Sequence, residues 1–118
     1  MKVRIKGDTI RIRVSQSEYD QIINEGYCEE VIHFPSGNLV YSVKSVEQIE
    51  PTADFLNGRI EVGLPSGAVT HWHEANEVGI YQDGPVKITV ERDFQCLKPR
   101  AHEDETDLYP NPLAEEAG

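Results

Sequence analysis

Strict alternation opens the chain. Val3, Ile5, Ile10, Ile12 and Val14 fall on one face of two short strands, and Lys2, Arg4, Lys6, Arg11 and Arg13 fall on the other. With Gly7-Asp8 as the turn, this predicts a half-buried hairpin over 2–6 and 9–14. The period then lengthens. Tyr19, Ile22 and Ile23 form a helical stripe, Ser15 with Glu18 three residues on forms a capping box, and Gly26 supplies a stop, so a helix is expected over Gln16–Glu25. Cys28 to Phe34 and Asn38 to Val43 are rich in β-branched and aromatic residues and flank Pro35-Ser36-Gly37, which predicts a second hairpin.

The same pattern then recurs. Shifting the numbering by 50 lays Ile10, Ile12 and Val14 on Ile60, Val62 and Leu64, and Tyr19 and Ile22 on Val69 and Trp72; after a three-residue shorter link, Leu39, Tyr41 and Val43 fall on Val86, Ile88 and Val90. The second unit is therefore read as strands near 53–56 and 59–64, a helix over 66–75, and strands near 78–81 and 86–92. Asn57-Gly58 and Asp83-Gly84 are its hairpin turns. Residues 1–95 form one domain of two repeats, 1–45 and 51–93. One hairpin-helix-hairpin unit is too small to bury the apolar faces of its four strands, so two must close on each other. The expected fold is mainly β (α+β): a pseudo-twofold barrel with two short helices at opposite ends or sides, and Ile12 and Val62 in a shared core. Because one chain holds both copies, a monomer or weak dimer is expected. Periodicity is lost from Cys96, so 96–118 is read as a mobile tail in which Leu108-Tyr109-Pro110 is the segment suited to docking.

The run Asn57-Gly58-Arg59-Ile60-Glu61-Val62-Gly63-Leu64-Pro65, followed by a short helix, Asp83-Gly84 and a last strand, resembles the swapped-hairpin unit of the AbrB, MazE and MraZ families. Lys6-Gly7-Asp8-Thr9-Ile10-Arg11-Ile12 is similar to the matching glycine-led strand, although Val14-Ser15 stands where the pattern has an apolar residue and proline. The full length also resembles a family of small uncharacterised bacterial proteins, through Lys2 to Thr9, Asp93-Phe94-Gln95-Cys96-Leu97 and the Tyr109-Pro110-Asn111-Pro112 tail. The first resemblance implies DNA contact through N-terminal hairpins. The second implies no activity.

Charge modifies this picture. The 118 residues carry 11 Lys and Arg against 21 Asp and Glu, a net charge of −10. Glu103, Asp104, Glu105, Asp107, Glu115 and Glu116 crowd the tail, where no Lys or Arg offsets them. The global balance argues against simple attraction to nucleic acid or an anionic membrane, while the first hairpin concentrates five cations on one face. No apolar run approaches the ~20 residues of a membrane span, and the start reads as a strand, so no membrane role and a cytoplasmic location are expected.

Chemistry-bearing residues are sparse. His71 and His73, two apart on a helix, diverge too far to share an ion; His71 is expected on the wet face and His73 half-buried. Cys96 with His102 makes a weak soft pair, so no metal and no cofactor are assigned. Neither Cys28 nor Cys96 sits in a nucleophile signature. The expectation is therefore a non-enzymatic binding or regulatory module with an unidentified protein partner, the alternative being an AbrB/MazE-like DNA-binding regulator. Its candidate contact residues are Lys2, Arg4, Lys6, Arg11 and Arg13. Their offset counterparts include Asp54 and Glu61, which predicts internal pairing of Arg4 and Arg11 with those two acids. The acidic tail, anchored by Tyr109, is expected to compete for the same face.

Overall fold

The structure is a computed structural model that describes residues 1–94 and 109–110. Its elements are β1 (Lys2–Lys6), β2 (Thr9–Val14), α1 (Gln16–Glu25), β3 (Tyr27–Phe34), β4 (Gly37–Val46), β5 (Thr52–Leu56), β6 (Arg59–Pro65), α2 (Ser66–Glu74), β7 (Gly79–Gln82) and β8 (Lys87–Arg92). α1 ends where its caps dictate. Ser15 Oγ accepts from the Glu18 amide, Glu18 Oε1 accepts from the Ser15 amide at 2.9 Å, and Gly26 closes the helix at φ 88°, a left-handed conformation glycine adopts without steric cost. β4 runs longer than its local pattern indicates because it is paired on both sides, with β3 and with β6.

The strands form two four-stranded sheets, β1-β2-β8-β7 and β3-β4-β6-β5. Each sheet joins the first hairpin of one unit to the second hairpin of the other through a parallel central pair, β2 with β8 and β4 with β6. The two registers correspond rung by rung. Adding 47 to the β4 number and subtracting 50 from the β6 number carries each pair from Val40–Arg59 to Ser45–Leu64 onto a pair from Lys87–Thr9 to Arg92–Val14. Ile12 and Val62 are both fully buried in one cluster with Val14, Val43, Leu64, Val90, Ile22 and Trp72.

Two expectations are corrected. The sheets do not close into a barrel: β1, β7, β3 and β5 are all edge strands. Ile5 and Phe55, at matching ends of β1 and β5, stay 60% and 63% exposed and border a cleft of about 300 Å3, so these edges stand apart instead of pairing. The helices are also neighbours rather than opposed. Tyr19 of α1 meets Trp72 of α2 edge to face with ring centroids 4.8 Å apart, a favoured geometry for an aromatic pair.

A half-buried ion cluster ties α1 to both sheets. The Met1 ammonium reaches Glu18 and, at 2.7 Å, Glu30 Oε1, while the Tyr41 hydroxyl donates to Glu30 Oε2 at 2.7 Å. Burial pulls the ammonium down, but the two carboxylates outweigh it and hold its pKa above 8.0. Burial pushes Glu30 up, but the Met1 and Tyr41 hydrogen bonds outweigh it and hold the carboxyl below its usual range. Glu30 therefore stabilises fully above its unfolded pKa, and this contribution is lost as pH falls through its lower folded value. The ammonium stabilises fully below its unfolded pKa and loses that contribution as pH rises through its higher folded value. Melting temperature should fall on both sides of a plateau between about pH 5 and 8. Glu30→Gln should lower that plateau by more than it lowers either limb. Thermal melts followed by circular dichroism check this, and a uniform drop at all pH values would count against it.

Candidate functional site

The alternation of four strands builds the outer face of the β1-β2-β8-β7 sheet. Its rungs read Lys2, Arg13, Glu91, Gly79; then Arg4, Arg11, Thr89, Tyr81; then Lys6, Thr9, Lys87. All five cations singled out from the sequence stand on this face. Lys87 and Tyr81 complete it. Lys87 and Tyr81 alternate with the buried Ile88 and Ile80, a signal that could have found them, but the parallel β2–β8 pairing that joins their face to the basic hairpin leaves no local sequence signal.

Two carboxylates from β8 and the residues just after it organise half of the cations. Glu91, only 7% exposed, accepts from Arg11 Nε at 2.7 Å and Nη2 at 2.5 Å, from Arg13 Nε at 3.2 Å and, through Oε2, from the Tyr81 hydroxyl at 3.3 Å. Lys2 Nζ lies 3.2 Å from Asp93 Oδ2. The expected pairing of Arg4 and Arg11 with Asp54 and Glu61 does not occur. Glu61 pairs instead with Lys44 at 2.8 Å, and Asp54 accepts from the Phe55 amide at 2.8 Å. The offsets expose the reason: Glu61 and Lys44 are the counterparts of Arg11 and Glu91, on the same diagonal of the other sheet, with both signs reversed. Each sheet satisfies its own diagonal.

The remaining cations are left over. Among the described residues, no carboxylate pairs with Arg4, Lys6 or Lys87. Arg4 stands directly opposite Arg11, and like charges in register across a strand pair are destabilising until an anion joins them. Lys2, Val3, Arg4, Arg11 and Arg13 line a shallow cavity of about 200 Å3, and Arg4 and Arg11 also border a second of about 180 Å3 with Lys6 and Thr9.

The other candidates take structural places. His71 Nε2 lies 3.1 Å from Glu77, and His73 Nδ1 lies 2.9 Å from the Tyr19 hydroxyl, so their rings serve different partners. His73 is exposed rather than half-buried, because it lies across the rim of the Tyr19 ring instead of entering the core. Burial, reinforced by Glu18, pushes the Cys28 thiol up to about 11, which keeps it protonated and weakly nucleophilic at neutral pH. Cys96, His102 and the six tail acids lie outside the described residues. Tyr109 is described, and it docks at the end of β8, not on the cationic rungs. Its amide donates to the Asp93 carbonyl at 2.9 Å, and its ring lies 5.7 Å from Phe94, 6.3 Å from Tyr19 and 5.0 Å from the Arg92 guanidinium.

Among the described residues, no helix is long and apolar enough to cross a membrane. No curated protein and no solved structure matches the chain. Its family is nonetheless shown over almost the whole length: a model matches residues 1–113, and the chain belongs to that family of unknown function, DUF7009.

Proposed function

We propose that the chain is a non-enzymatic binding module that takes a polyanion, nucleic acid above all, on the outer face of the β1-β2-β8-β7 sheet. The observation that carries this is the Arg4–Arg11 rung: two guanidiniums in register, one without a carboxylate among the described residues, flanked by Lys6 and Lys87 and opening on a cavity of phosphate scale. Glu91 and Asp93 hold Arg11, Arg13 and Lys2 in place beside them. The rung-by-rung correspondence of the two sheets supports descent from a duplicated swapped-hairpin unit, in which one chain does the work of a dimer and only one copy kept a basic face.

Inorganic polyphosphate tests the charge reading alone. Its affinity for the full chain, measured by calorimetry at low and moderate salt, should fall steeply with salt. Replacing the exposed Arg4 and Lys6 by alanine should weaken binding and reduce the salt slope by about one per lost phosphate contact. Affinity that is indifferent to salt, or that survives the double substitution unchanged, rules the reading out.

A further inference from the structure

We infer that this face binds single-stranded nucleic acid, with a phosphodiester over Arg4 and Arg11 and a base stacked on Tyr81. The inference rests on the polyanion reading above and names its ligand class.

The width of the face decides between duplex and single strand. A free two-stranded ribbon fits the major groove, which is about 12 Å wide. Here the basic hairpin is not free: β2 is locked to β8, and β8 to β7. Four strands about 4.8 Å apart span about 14 Å of backbone before edge side chains are added. Such a surface is too broad and flat to enter the groove, and a closed duplex would meet it only along one backbone. Unstacked bases have no such restriction, since they can lie flat on a sheet beside the cations that track their phosphates.

Tyr81 supplies the stacking ring. It lies on the same rung as Arg4 and Arg11, is 58% exposed, and is tethered through its hydroxyl to Glu91, the carboxylate that also fixes Arg11 and Arg13. One buried acid therefore sets both the aromatic ring and two of the phosphate-facing cations. Thr89 alone separates Arg11 from Tyr81 along the rung, which sets the ring within a nucleotide's reach of the guanidiniums. The corresponding face of the other sheet carries Asp54, Glu61 and Glu29 on the equivalent rung, which repels a phosphate backbone.

The test uses the full chain and fluorescence anisotropy with labelled oligothymidylate, oligouridylate and a duplex of the same length. Both single strands, or one of them if the sugar is read, should bind more tightly than the duplex. Tyr81→Ala should weaken single-strand binding by about tenfold or more with a much smaller loss for duplex and polyphosphate, and Tyr81→Phe should retain most of the single-strand affinity. Circular dichroism and a urea midpoint on each variant confirm folding. Preference for the duplex, or equal losses for single strand and polyphosphate in Tyr81→Ala, overturns the stacking inference and leaves the basic face standing. Failure of polyphosphate and every oligonucleotide to bind overturns both readings.

Discussion

Trp72→Ala is expected to cost about 3–5 kcal/mol, the range for removing a buried aromatic ring, and to leave a substantial fraction of the chain unfolded at 37 °C. Trp72 is the largest fully buried side chain, at 1% exposure, and it joins the two helices through its edge-to-face contact with Tyr19. A domain of this size has only about 5–15 kcal/mol in total, so a loss of that size is a large share of it. The indole Nε1 has no hydrogen-bond partner among the described residues, so phenylalanine removes an unsatisfied donor together with part of the ring. Those effects oppose each other, and Trp72→Phe should cost less than about 1.5 kcal/mol. Urea unfolding followed by circular dichroism measures both. A loss below about 1 kcal/mol for the alanine variant would mean that the helix pair is not part of the cooperative core.

Local elements were legible because each carries its own chemistry. Alternation set β1 and β2, and the Ser15–Glu18 box with Gly26 set both ends of α1, at the positions the structure shows. What the sequence did not show is which strands meet. The parallel pairs β2–β8 and β4–β6 join residues about 80 and 20 positions apart, and their partners leave no mark on local periodicity. The mistaken pairing of Arg11 with Glu61 has a geometric origin. The offset finds residues in equivalent environments, and residues related by a twofold rotation touch only when they lie at its axis. Arg11 and Glu61 occupy equivalent places in different sheets, so each took the partner its own sheet offers, Glu91 and Lys44. The missing barrel has a related cause: alternation states which face of a strand is apolar but not whether two edges will meet. Tyr81, outward in its own strand by the same alternation, became a candidate only once β7 was known to extend the cationic rungs.

Gly79→Val should cost about 3 kcal/mol and detach the first half of β7 from β8, with Gly79→Ala costing about 2 kcal/mol. The cause is contact, not backbone freedom. A Cβ on residue 79 would sit 2.5 Å from the Val90 carbonyl oxygen, 2.7 Å from Glu91 Cβ and 2.9 Å from Glu91 Cα, and two of those atoms are backbone that cannot rotate away. β7 is a four-residue edge strand, so peeling it from β8 is the cheapest relief. That movement exposes Ile80, which belongs to the core cluster, and draws the Tyr81 hydroxyl away from Glu91. Stability and the outer face therefore change together: amide exchange at Ile80 and Tyr81 should accelerate along with a fall in the urea midpoint. Gly67→Ala is the matched control. Nothing lies within 4 Å of its added carbon and it stands inside α2, so it should stabilise by about 0.5 kcal/mol. If the two alanine variants unfold at the same urea concentration, β7 yields to the added methyl without cost, and neither the close approach at Gly79 nor the rigid placement of Tyr81 that depends on it can stand.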